Sequence, residues 1–212
     1  MKTLPLCLAL VLFCLSLRAA AASTKVFFVG GYRASPAQMR CWEEGARKNS
    51  PGEYEFVGIP YPSGVGASFE EAVAGASTTI QKIVAEINAN PNQSYLIAGH
   101  SSGAAISNTI AARATNPARI RLVDLDGFVP PASLRARVPT TCWAARNGKL
   151  LSRNYDAMGI CGPGTRVYGD RHCNTAWCLH FSLVIRSTPA DLGTDFVSRG
   201  YLGCNTNLDW LR

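Results

Sequence analysis

The sequence predicts a single-domain α/β protein, with a mostly parallel sheet of about six strands and helices on both of its faces. Two observations carry this expectation. Short apolar runs alternate with helical stretches along the chain, the pattern of strand–helix–strand crossovers. The 190 residues that remain of 212 once a 22-residue leader is removed are enough for one domain with a real core, and they contain no repeats or low-complexity linkers.

The leader is read from its layout. Lys2 precedes an apolar stretch from Leu4 to Leu17, and the run Ala19-Ala20-Ala21-Ala22 comes just before Ser23. This is the arrangement of a secretory signal peptide with an A-x-A cleavage site, so residues 1–22 are expected to leave and residues 23–212 to form the mature domain. A membrane anchor needs about 20 continuous apolar residues; this run is shorter and is broken by Pro5 and Arg18, and no later segment is apolar enough to span. Leu12 and Phe13 before Cys14 are too bulky for a lipoprotein cleavage site. The expected product is secreted or periplasmic, monomeric and without a transmembrane segment.

Loss of Cys7 and Cys14 with the leader leaves Cys41, Cys142, Cys161, Cys173, Cys178 and Cys204. An even number in an exported chain points to disulfides, with the close pair Cys173 and Cys178 suited to stapling a loop, and leaves the pairing open. No C-x-x-C pair is present and the chain has 3 histidines, so no metal or other cofactor is expected. The formal net charge of +7 falls to +5 without Lys2 and Arg18, and it is spread along the chain as single basic residues. That is the balance of a mildly basic secreted protein; no nucleic-acid motif accompanies it.

In chain order, Lys25 to Gly30 is an apolar run ending in Gly30-Gly31 and reads as a buried strand. Ser35-Pro36 supplies an N-cap and first-turn proline for a helix through about Arg47. A strand over Tyr54 to Ile59 follows. Ser68 with Glu71 forms a capping box before Val73, Ala76, Ile80, Ile83, Val84 and Ile87, whose spacing predicts one long amphipathic helix ending at Asn90-Pro91-Asn92. Ser94 to Ala98 is a third strand leading through a Gly-rich turn into a small-residue helix from Ser102 to about Thr115. Arg121 to Leu125 is the fourth strand, Thr141 to Arg146 and Thr165 to Tyr168 the fifth and sixth, and one short helix follows His180.

The chemistry concentrates at Gly99-His100-Ser101-Ser102-Gly103, between a strand and a helix. This is the context of a nucleophile elbow: a sharp turn that lifts the serine hydroxyl above the sheet, flanked by glycines because side chains there would collide with neighbouring elements. The N-terminus of the following helix points free N–H groups at the same spot, where negative charge can be stabilised. On this motif the chain resembles the α/β-hydrolase superfamily, and in size its small lidless lipases, esterases and cutinases. The resemblance covers nearly the whole mature chain in element order, while its specific motif is the elbow alone. It implies a serine hydrolase with Ser101 as nucleophile. It also implies an oxyanion hole from the N–H groups of Ser102 and, in the loop Gly30-Gly31-Tyr32, of Tyr32.

A serine needs a base to take its proton. His100 adjoins Ser101 and cannot fold back onto it, which leaves His172 and His180; His180, followed by Phe181-Ser182-Leu183-Val184, is similar to the family's histidine that leads into a final helix and ranks first, while His172, closer to the preceding strand, also fits the family. The acid has several candidates. The family's common position after the fifth strand holds Asn147, with no carboxylate until Asp156, a departure from the pattern. Asp126, in Leu125-Asp126-Gly127, resembles the acid of pancreatic-type lipases and ranks first. Asp170, in Gly169-Asp170-Arg171-His172-Cys173, resembles the cutinase segment and ranks second, ahead of Asp156; Asp124 competes from the same side of its strand as Asp126.

The expected reaction is cleavage of a small-molecule or lipid ester by Ser101, His180 and Asp126. The same triad would serve an acyltransferase, and a non-catalytic binding protein on the same fold is a further alternative. Tyr61, Phe69, Phe128 and Trp177 are candidates for an acyl pocket, and Phe128-Val129-Pro130-Pro131 is placed near the catalytic face.

Overall fold

The computed structural model describes residues 23–127, 130–145, 166–168, 176–184 and 206–211. The elements are β1 (Thr24–Val29), α1 (Pro36–Asn49), β2 (Tyr54–Ile59), α2 (Phe69–Gly75), α3 (Ser77–Ala89), β3 (Tyr95–His100), α4 (Gly103–Arg113), β4 (Ile120–Leu125), β5 (Thr140–Ala145), β6 (Arg166–Tyr168) and α5 (Ala176–Ser182). The strands form one 6-stranded sheet in the order β2-β1-β3-β4-β5-β6, and every neighbouring pair is parallel. This is a doubly wound, wholly parallel α/β sheet.

The strand order decides where the helices go. Crossovers between parallel strands are right-handed, so the leftward step from β1 to β2 and the rightward steps through β3 and β4 send their helices to opposite faces. Accordingly α1 packs on β2, while α4 packs on β3 and β4 with α2 and α3 against it. Covering both faces is why β3, read as Tyr-Leu-Ile-Ala-Gly-His, is buried at every position and shows no alternation. On the α1 face Phe28 stacks on Trp42 with ring centroids 4.0 Å apart, and Trp210 near the C-terminus stacks on both. On the other face Ile80, Ile83 and Ile87 of α3 and Ile106 and Ile110 of α4 are buried at helical spacing. Each such side chain stabilises the fold by roughly 1.5–3 kcal/mol through removal from water.

The helix starts follow the local chemistry. At α1 the Ser35 hydroxyl accepts from the Gln38 N–H while the Gln38 side chain accepts from the Ser35 N–H, with Pro36 in the first turn. At α2 the Ser68 hydroxyl accepts from the Glu71 N–H at 3.2 Å and donates to the Glu71 carboxylate at 2.9 Å. The single long helix expected after Ser68 is two helices, broken at Ala76 (φ −90°, ψ 6°). The cause lies at Gly75, where a Cβ would meet Val65 Cγ2 at 2.3 Å: the 62–66 loop lies hard against this turn, and glycine both permits the approach and weakens the helix.

Candidate active site

Three loops leave the C-terminal edge of the neighbouring strands β1, β3 and β4. Each holds one non-glycine residue in the left-handed region: Arg33 (φ 66°), Ser101 (φ 55°) and Asp126 (φ 49°). Such backbone costs of order 1–3 kcal/mol per residue and persists where surrounding structure over-determines it, characteristically at functional sites. The edge between β1 and β3 is also where the strand order reverses, the usual ligand crevice of an open parallel sheet.

Ser101 follows directly on β3. Its N–H donates to the Leu125 carbonyl at 3.1 Å, which ties the turn to the end of β4 and sends the chain into α4. The flanking glycines are sterically required. A Cβ on Gly99 would stand 1.9 Å from Ser107 Oγ and 2.6 Å from Ala104 Cα; one on Gly103 would stand 2.4 Å from the Gly30 carbonyl oxygen. The second contact also shows how closely the start of α4 approaches the loop after β1. Ser101 itself is half-buried and Ser102 is buried. In the β1 loop the Ala34 N–H donates to the Gly31 carbonyl, and the Tyr32 ring meets Tyr61 edge-on at 5.8 Å, with the Arg33 guanidinium 5.2 Å from its centroid.

Asp126 begins the turn after β4. Its N–H donates to the Trp143 carbonyl at 2.7 Å, and its carboxylate lies 2.6 Å from His180 Nδ1, with the other oxygen 3.4 Å from the Ala145 N–H. Both side chains are buried, Asp126 at 1% and His180 at 3% exposure. A carboxylate so close to Nδ1 holds the proton there, so the neutral imidazole presents Nε2 as its acceptor. Asp124 plays a different part. One of its oxygens accepts from the Gly127 N–H at 2.9 Å and closes the turn that presents Asp126.

The short helix stands earlier than expected: α5 runs from Ala176 to Ser182 and contains His180, where the sequence pattern predicts a helix after it. Its C-terminal end is held by contacts far away in the chain. The Asn207 side chain donates to the Ser182 carbonyl at 2.7 Å and the Asn207 N–H to that of Val184 at 3.0 Å. Spacing could not foretell a helix end fixed by a residue 25 positions away.

Sequence reasoning sets His100 aside and misses its contact with His180. His100 Nε2 lies 3.0 Å from the His180 carbonyl oxygen, and the two rings are 4.3 Å apart. A carbonyl only accepts, so Nε2–H of His100 donates, gripping the backbone that carries His180. Burial, and then the neighbouring His180, push the His100 pKa well below 6.5. A linked stability effect follows. The unfolded chain takes up a proton near pH 6.5 that the folded chain refuses, so stability falls as pH drops below that value, by up to about 1.4 kcal/mol per pH unit from this group until the depressed pKa is reached. Urea midpoints measured from pH 7.5 to 5 should show this slope, and His100→Gln should flatten it by one proton's worth.

Of the pocket candidates, Tyr61 is buried beside Tyr32, and its hydroxyl donates to the Gly66 carbonyl. Burial raises the Tyr61 pKa, with the Ser102 hydroxyl acting in the opposite direction. Phe69 instead lines a cleft that none of Ser101, Asp126 and His180 lines. Residues 1–22, Asn147, Asp156, Asp170, His172, Phe128 and Val129, with Cys161, Cys173 and Cys204, lie outside the described residues, as do the side chains of Trp177 and Cys178. Among the described residues no group of three His, Cys, Asp or Glu side chains suits a metal ion, and no helix is long and apolar enough to cross a membrane.

No protein-family model matches this sequence, and no curated protein matches it significantly. Solved structures are similar at low identity. One is a protein of the alpha/beta hydrolase superfamily from Xanthomonas campestris pv. campestris, at 14% identity over 84% of this chain and 94% of that one, with a TM-score of 0.45. A structure reported for LipS and LipT, two metagenome-derived lipolytic enzymes, is 17% identical over 69% of this chain and 83% of that one, at a TM-score of 0.43. The Trichoderma reesei cutinase bound to a phosphonate inhibitor is 16% identical over 74% of each chain, at a TM-score of 0.39. These are likenesses of fold only.

Proposed function

We propose that this chain is an exported serine hydrolase that cleaves carboxylic esters through an acyl-enzyme on Ser101. The observation that carries the reading is the buried Asp126–His180 pair, 2.6 Å apart, on the strand edge next to a serine held at φ 55°. A carboxylate, an imidazole and a strained serine are the three groups of one proton relay.

In this mechanism His180 Nε2 takes the proton as Ser101 Oγ adds to the ester carbonyl, and Asp126 holds Nδ1–H and stabilises the imidazolium. The oxyanion is received by the N–H groups of Ser102, at the start of α4, and of Tyr32. Collapse of the tetrahedral intermediate expels the alcohol, which leaves with the proton from His180. Water then gives its proton to His180, attacks the acyl group and releases the acid, returning Ser101 to its hydroxyl. His100, uncharged in its buried site, fixes the height of the His180 backbone without adding positive charge beside the imidazolium.

The leader-like segment before Ser23 supports export, and so does the even number of cysteines after it, which suits disulfides in an oxidising compartment. The proposed substrate is a small-molecule or lipid ester met by the exposed ring of Tyr32, handled by a monomer without metal or other cofactor. The test is release of p-nitrophenol from short and medium acyl p-nitrophenyl esters by the purified protein. Turnover supports the reading, and its absence in folded, oxidised protein contradicts it. Transfer to an added alcohol in preference to water would reassign the same site to an acyltransferase.

A further inference from the structure

Among the described residues two large apolar side chains stand exposed, Tyr32 at 40% and Leu134 at 49%. Tyr32 belongs to the proposed catalytic edge. Leu134 lines a cleft of about 470 Å³ formed by the C-terminal half of α4, the start of α2 and the 133–138 segment leading into β5. Phe69, Val73 and Val138 give it apolar walls, and Arg113, Arg135 and Arg137 also line it. None of the described lining residues is acidic, and none belongs to the Ser101 site.

An apolar slot whose charges are all positive complements one kind of small molecule: a single aliphatic chain with an anionic head. The guanidinium groups suit a carboxylate, which they meet with parallel N–H bonds. Arg135 is placed in advance by donation from its Nε to the Pro130 carbonyl at 3.1 Å, which lowers the ordering cost of binding. The volume lies within the roughly 300–1,000 Å³ of small-molecule sites.

We infer that this cleft binds a medium-chain alkyl carboxylate of about eight to twelve carbons, with its tail along Leu134, Phe69, Val73 and Val138 and its head on the arginines. The choice of a carboxylate over another anion rests on the esterase reading, since ester cleavage releases one; the cleft's shape and charge do not. The acid would then be held away from the serine that formed it.

The experiment is calorimetric titration of decanoate, below its micelle concentration, into the Ser101→Ala protein, with decanol and decyltrimethylammonium as controls. Expected are one saturable site for decanoate, binding at least tenfold weaker for decanol and none for the cation. Each methylene added between octanoate and decanoate should tighten binding about threefold to fourfold. Arg113→Ser with Arg137→Ser, and separately Leu134→Ser, should each weaken decanoate about tenfold or more. All three positions are on the surface, and an unchanged urea midpoint checks that the fold is kept. No saturable binding overturns the inference, as does affinity unchanged in both variants, or decyltrimethylammonium binding as tightly as decanoate. Because the titration needs no turnover, an inactive wild type would sink the esterase reading and leave this result standing, and the converse holds.

Discussion

On the proposed mechanism, Ser101→Ala is expected to lower ester turnover by about 10⁵- to 10⁶-fold, to the level that binding and the oxyanion donors supply without a nucleophile. The loss is this large because the members of a triad act as one unit: without the hydroxyl, neither His180 nor Asp126 has a proton to manage. KM should change little, since the hydroxyl contributes to bond making more than to substrate binding. Stability should stay near the wild-type value, because alanine bears the same left-handed strain at φ 55°. Ser101→Gly should be equally inactive and more stable by about 1 kcal/mol, since glycine takes that conformation without a Cβ penalty. A urea titration of the three proteins reads the strain, and p-nitrophenyl ester kinetics read the chemistry. Turnover within tenfold of wild type in Ser101→Ala would remove this residue from the reaction.

Asp126→Asn lowers kcat by about 10⁴-fold near neutral pH. On the proposed mechanism the carboxylate 2.6 Å from His180 Nδ1 both fixes the tautomer and balances the imidazolium. An asparagine amide can present its own N–H to Nδ1, which moves the imidazole proton to Nε2 and leaves nothing to accept from Ser101. Shape and hydrogen-bonding capacity are nearly conserved, so the fold should survive. Adding Asp126→Asn to a His180→Ala protein should cost almost nothing further, because the carboxylate acts through the imidazole. A loss below tenfold in the single variant would point to another carboxylate, with Asp170 or Asp156 the next to replace.

Those same residues separate what is legible in the sequence from what is not. The Ser101 elbow is legible because its determinants are local: a buried strand, two glycines four positions apart and a helix of small side chains. The strands are equally legible, because sheet burial leaves continuous apolar runs bounded by turn residues. The choice between Asp124 and Asp126 is not. Both sit on one side of β4 in the pattern, and what separates them is the left-handed backbone at Asp126 and the Gly127 N–H that occupies Asp124, neither visible in residue type.

Long-range contacts are harder still. His180 meets its carboxylate across 54 residues and the His100 side chain across 80, distances over which periodicity carries no information. The α5 boundary depends on Asn207, and the break between α2 and α3 on the approach of Val65 to Gly75. In each case a tertiary contact overrides a local preference.

Whether Ser101 is a nucleophile activated by His180 is read out by covalent capture. The purified protein is treated with a fluorophosphonate, digested and mapped by mass spectrometry. One adduct is expected, on Ser101, formed in wild type and lost in His180→Ala although the serine is still present. Folded wild-type protein that takes no label, takes it on another serine, or takes it equally without His180 would contradict it.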